Sequence, residues 1–182
     1  MKIVREHIFE EEFRFMKGKS KEKIRESLKN IEPRDQLIKA VNNGIFWLVK
    51  ELIEEKGVNP TYAYNLPIER ASEKGFLDIV KYLMTYPEVD PSDDGDNYSI
   101  RWAILEHHLD VAKELLKDPR VDPSHKNNYT LNELFRYSDM WNNRNMDYIE
   151  DIKFMLQDKR VLDKLTPDQI RKLDKLKQLK LL

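Results

Sequence analysis

Cysteine is absent from the 182 residues, which removes disulfides, thiol nucleophiles and thiolate metal sites together. A reducing, cytoplasmic setting is compatible with that composition. Glycine is scarce, and the five residues at 18, 44, 57, 75 and 95 are too scattered to build a phosphate-cradling loop. No apolar run approaches the length of a membrane-spanning helix. The opening stretch, MKIVREHIFEEEF, is charged throughout and lacks the apolar centre of a secretory signal. No serine or threonine sits in a nucleophile-elbow motif, and no pair of carboxylates stands apart from the many on the surface. The expectation is a non-enzymatic protein with no catalytic residues, no cofactor and no metal.

Hydrophobic residues make up 40% and charged residues 36% of the chain, a Lys-, Glu-, Leu- and Ile-rich mixture that favours helices. The net charge of −1 is unevenly distributed. Residues 1–34 carry 10 Lys/Arg against 7 Asp/Glu, residues 35–158 carry 14 against 23, and residues 159–182 carry 8 against 3. An acidic middle disfavours a phosphate backbone as the main partner, because cationic contacts dominate nucleic-acid affinity.

Internal self-similarity organises the chain. Residues 37–60 read LIKAVNNGIFWLVKELIEEKGVNP, residues 68–91 read IERASEKGFLDIVKYLMTYPEVDP, and residues 100–123 read IRWAILEHHLDVAKELLKDPRVDP. Ala40, Ala71 and Ala103 fall in register, as do Leu52, Leu83 and Leu115, Val58, Val89 and Val121, and Pro60, Pro91 and Pro123. Each copy holds two short helical patterns. Ile68 and Ala71 share a face of the first, and alanine there lets a neighbouring helix approach closely. Gly44 and Gly75 end the first helix in a left-handed backbone. Ile79, Val80, Leu83 and Met84 pattern the second, and the following proline stops it. Ser92 to Asn97 reads as a polar turn. Such a unit cannot bury its apolar face alone, so the copies must stack.

These copies resemble ankyrin repeats. Leu66-Pro67-Ile68 and Tyr129-Thr130-Leu131 occupy the family's Thr-Pro-Leu slot, and Ala71, Gly75, Ile79-Val80, Leu83-Met84 and Val89-Asp90 match the rest. The hallmark histidine is replaced by Ile38, Glu69 and Arg101, and proline follows Val-Asp or Val-Asn in each copy. The divergent, Lys- and Asn-rich repeats are similar to those of large DNA viruses and phages. The resemblance implies an all-α, ankyrin-type helical solenoid of three regular repeats and one irregular repeat, with helical caps. The expected divisions are 1–34, an amphipathic capping segment; 35–131, three repeats; 132–165, an irregular fourth repeat with an insertion around Trp141; and 166–182, a capping helix. Thr166-Pro167-Asp168 starts that helix, with Thr as N-cap and Pro in the first turn.

Two chemical readings compete with a purely structural one. Asp90, Ser92 and Asp94 have the spacing of the first calcium-loop ligands around Gly95, but Arg101 stands where a bidentate glutamate is required. His107-His108 fills the Gly-His slot and reads as a turn pair with one ring packed or hydrogen-bonded. Trp47 is expected to pack between elements, and Trp141 to be exposed.

The resemblance implies protein binding on a concave face of finger turns and first helices. Carried over by position, it comprises Tyr62, Tyr64, Asp93, Asp94, Asp96, His125 and Lys126 on the fingers. The first helices add Asn43, Arg70, Glu73, Lys74, Trp102, Leu105 and Glu106. Tyr62, Tyr64, Arg70 and Trp102 are the expected anchors, since aromatic and Arg residues dominate interface energetics. The expected partner is another protein, a host factor in the host cytoplasm given the viral similarity, met by a monomer or weak oligomer. The rival readings are a nucleic-acid-associated protein using its basic ends, and an effector with an unrecognised activity.

Overall fold

The computed structural model describes residues 19–92, 96–140 and 146–182. The amphipathic pattern of residues 1–16, the finger residues Asp93 and Asp94, and Trp141 lie outside them. Helix α1 (Lys21–Leu28) starts at Ser20, whose hydroxyl accepts from the Lys23 amide at 3.4 Å, and it buries Ile24 and Leu28. Three helix pairs follow: α2 (Pro33–Asn42) with α3 (Phe46–Glu54), α4 (Tyr62–Glu73) with α5 (Leu77–Leu83), and α6 (Tyr98–Leu105) with α7 (Leu109–Leu115). The fourth pair is α8 (His125–Met140) with α9 (Met146–Met155), and α10 (Lys159–Asp163) and α11 (Pro167–Gln178) close the chain. There is no strand among the described residues. First helices stack in the order α2, α4, α6, α8, and second helices in the order α3, α5, α7. This is an all-α solenoid.

The repeated alanines explain the stacking and the helix ends together. Ala40, Ala71 and Ala103 are fully buried, and their carbonyls accept the closing hydrogen bonds from Ile45, Phe76 and His108 at 2.9, 2.9 and 2.7 Å. These are six-to-one Schellman closures, which require a left-handed residue just past the helix. Gly44 and Gly75 supply it with φ of 63° and 72°, and His107 adopts φ of 64° in the third copy. Close packing reinforces the glycine choice. A Cβ on Gly44 would lie 2.8 Å from the Phe76 ring, and one on Gly75 would lie 2.5 Å from the His108 ring.

The finger turns are left-handed, where the sequence suggested only polar turns. Ala63, Tyr64 and Asn65 have φ of 53°, 59° and 61°, and Lys126, Asn127 and Asn128 have φ of 49°, 55° and 60°. Left-handed backbone costs an L-residue about 1–2 kcal/mol, so these turns need compensation. It comes from two repeated devices. Asn59, Asp90 and Asp122 each accept from the backbone and hydroxyl of the residue two on, Thr61, Ser92 or Ser124, at 2.5–2.9 Å. Asparagine at the end of each turn then reaches into the next repeat. Asn65 Oδ1 accepts from Asp90 N at 3.0 Å, Asn97 Oδ1 accepts from Asp122 N at 2.7 Å, and Asn128 Nδ2 donates to the Val161 carbonyl at 3.0 Å. Asparagine suits the role because it tolerates the left-handed region.

Arginines tie the later repeats. Arg120 Nη2 donates to the Val89 carbonyl at 3.0 Å, and Arg160 Nη1 to the Val121 carbonyl at 2.7 Å. Each guanidinium is aimed by a fork onto Asp118 or Asp158. That hydrogen bonding holds both carboxyls below their usual range.

Both described ends are shielded. Arg25 forks onto Glu51 of α3 at 3.2 and 2.6 Å, and Lys21 and Arg25 lie 5.0 and 5.1 Å from the Trp47 ring centroid. Trp47 therefore packs between α1 and α3. At the other end Thr166 and Gln169 form a capping box, and Gln169 Nε2 also donates to the Asn127 carbonyl and Asn132 Oδ1. Leu173 and Leu176 of α11 join the core.

Two substitutions test this architecture by urea unfolding. Asn97→Ala is expected to cost about 1–3 kcal/mol, the penalty of orphaning a protein hydrogen-bond partner. Ala71→Leu is expected to cost about 1–3 kcal/mol or more through overpacking. Wild-type stability for either variant would contradict the corresponding contact.

Candidate partner-binding face

The left-handed turn lifts Tyr64 out of the fold, leaving it 85% exposed. Its neighbour Tyr62 is held back: its hydroxyl lies 3.3 Å from Asp35 Oδ1, and Arg34 sits 5.8 Å from its ring centroid. On α4, Arg70 donates to Glu73 at 2.6 Å, and Lys74 lies 3.6 Å from the same carboxylate. On the finger that ends at Asn97, Asp96 accepts from Lys126 Nζ of the next finger at 2.7 Å and lies 3.6 Å from His125 Nε2. The hydrogen bond from Lys126 holds the Asp96 carboxyl below its ordinary value. The charges of Asp96 and Glu73 are thus met within the chain.

Trp102 is half-buried and packs against the core, while Glu106 is exposed. Leu105 and Asn43 depart from the position-by-position expectation. Leu105 is buried within the core at 9% exposure, and Asn43, at 8%, turns its side chain onto the Lys39 carbonyl at 2.8 Å. Leu105 is the last residue of α6 and Asn43 caps α2, so both lie where the chain folds back into the second helix.

An aromatic–cation cluster was not legible in advance. The Arg101 guanidinium lies 4.1 Å from the Tyr98 ring centroid and 5.3 Å from that of Tyr129, and Tyr129 is 42% exposed. Cation–π attraction of this kind contributes about 0.5–1 kcal/mol at exposed sites. Two signals point to it. Tyr98 and Arg101 stand three apart on one helix, and Tyr98 and Tyr129 fill the same slot of successive repeats.

The remaining chemical candidates have structural occupations. Asp90 caps its own turn through Ser92 and faces Arg120 at 3.7 Å, which is a turn device with a cation beside it. His108 covers Gly75, and His107 Nδ1 lies 2.6 Å from Asp151 Oδ2. Among the described residues no group of three or more His, Asp or Glu side chains could hold a metal ion. No described helix is long and apolar enough to cross a membrane.

Comparison with protein families agrees with this architecture. A family profile described as ankyrin repeats, in three copies, matches residues 37–127. The chain belongs to the ankyrin-repeat family. No curated protein and no solved structure matched it.

Tyr64 and Trp102, both expected as anchors, should separate in stability. Tyr64→Ala is expected to change the unfolding free energy by less than about 0.5 kcal/mol, as for an uncommitted surface residue. Trp102→Ala should cost more than that, because its ring packs on the core. A cost above that limit for Tyr64→Ala in urea unfolding would show that Tyr64 contributes to the fold, and a cost below it for Trp102→Ala would contradict the core contact of Trp102.

Proposed function

We propose that this chain is a non-enzymatic interaction module that binds a protein partner on the face built by its fingers and first helices. Ankyrin repeats generally mediate protein–protein interaction, and the chain belongs to that family. The observation that carries the reading is Tyr64, a large aromatic 85% exposed on a turn whose left-handed backbone is costly to form. Tyrosine offers apolar contact area and a hydroxyl at a small loss of rotamer freedom, which suits it to an interface. The Tyr98–Arg101–Tyr129 cluster extends the same chemistry to the next two repeats.

Internal pairing of Asp96 and Glu73 shifts the emphasis from acidic steering to aromatic anchoring. Asp93 and Asp94 add negative charge to the sequence between Asp90 and Asn97, and electrostatic steering of a basic partner would come from them. The similarity of the repeats to those of large DNA viruses and phages favours a host protein as partner. The host cytoplasm is then the compartment, with the chain acting as a monomer or weak oligomer. Trp102, Arg70, Lys74, Glu106, Lys126 and His125 complete the proposed face around Tyr62 and Tyr64.

A photo-crosslinking amino acid at position 64 tests the reading, with Lys81 and Lys113 on the second helices as control positions. In extract of the native host cell, position 64 should capture a discrete protein and the controls should not. With that partner purified, Tyr64→Ala or Arg101→Ala should speed dissociation, whereas Asp93→Lys with Asp94→Lys should mainly slow association. Capture at the controls alone, or unchanged kinetics in all folded variants, would move the interface off this face. A duplex DNA titrated over salt completes the comparison. Tight binding with a steep salt slope would favour the basic ends.

A further inference from the structure

The junction of the third and fourth repeats breaks the repeat pattern at two places that touch. His107 stands where the earlier copies have Gly44 and Gly75, at φ of 64°. Asp151 of α9, in the register that pairs Val121 with Val161, falls at the position of Ile79 and Val111, both fully buried. Its side chain is only 2% exposed, yet it is a carboxylate. The two meet across the repeat boundary, His107 Nδ1 lying 2.6 Å from Asp151 Oδ2. The His107 ring also stands edge-on to Tyr148 of α9 at 4.7 Å, and Tyr148 stacks on Tyr137 of α8 at 5.4 Å. A histidine in a glycine's conformation and an acid in an aliphatic position are each unfavourable alone. Together they supply each other's partner.

We infer that His107 and Asp151 form a proton-operated joint between the third and fourth repeats, which seats α9 more firmly as protons are taken up. Helix α9 packs on α8 and on α6, so unseating it exposes Asp151 to water. In place, burial pushes the Asp151 carboxyl up from 3.8 to about 6, against the pull of His107. The other titratable groups around the joint are Glu106 at the end of α6, Tyr137 of α8, and Asp147, Tyr148 and Glu150 on α9. Asp147 and Glu150 raise the carboxyl further. A group whose value is raised in the seated state favours that state when protonated. The gain is complete below the ordinary aspartate range and is lost as pH rises through about 6. At higher pH the buried carboxylate depends on His107 alone among the described side chains that hydrogen-bond it.

The full chain tests this by amide hydrogen exchange between pH 5 and 8, with each rate divided by its intrinsic value. Opening of α9 in the wild type should increase roughly tenfold or more over that range, as a titrating group shifted by more than a unit requires. Helices α2 and α3 should stay level and serve as the internal reference. Asp151→Asn keeps the shape and removes the titration, so its α9 profile should be flat. The double variant His107→Gly with Asp151→Val restores the pattern of the earlier copies. It should fold, protect α9 at least as well, and show no pH slope. A wild-type profile that is flat, or a slope that persists in either variant, would overturn the joint.

Discussion

A two-helix unit has one apolar face and nothing of its own to cover it with, so each copy here is stable only against its neighbour. The contact that permits this is backbone-close. Fully buried alanine at the same point of three first helices lets them stack, and the carbonyl of each alanine takes the hydrogen bond that ends its helix. A larger residue would separate the helices and disturb the turn that sends the chain back along the second helix. The tight glycine turns then bring the aromatic or imidazole ring of the next copy over the gap. Side-chain size, helix termination and repeat spacing are thus one constraint.

Upon that stack the fingers are built from strain and its compensation. A left-handed turn is costly for alanine, tyrosine and lysine alike, yet it recurs because asparagine at its end completes the backbone of the next repeat. This bridge stands in a family whose usual histidine is missing here. It couples local conformation to neighbour contact, so a finger without its neighbour has little reason to hold its shape. The same turn projects Tyr64 into solvent. The proposed binding surface and the stacking of the solenoid therefore draw on the same hydrogen bonds.

The fourth copy shows what happens when the pattern is relaxed. Leu134 stands where the earlier first helices carry alanine, and it and Phe135 are buried, with α11 closing over that end through Gln169, Leu173 and Leu176. The longer connection from α8 to α9 is accompanied by polar residues in buried places. Buried ion pairs add little net stability compared with apolar packing, so the pairing of Asp151 with His107 is a means of response more than a means of support.

Sequence alone determined the features that repeat at short range. The alanine, leucine, valine and proline register, the glycine helix ends, the Thr166-Pro167 helix start and the family were all legible, because each depends on residues within a turn or on a fixed period. Tertiary structure decided the rest. The asparagine bridges of the left-handed fingers join residues 25 to 33 apart, and the pairing of Asp96 with Lys126 spans 30. Leu105 read as a surface residue until the packed repeats covered it, and His107 found Asp151 at a separation of 44. A periodic pattern records which face a residue presents, since that follows from backbone geometry within one helix. Which charge meets which is set by the rise and rotation from one repeat to the next, and that exists only once the helices have stacked.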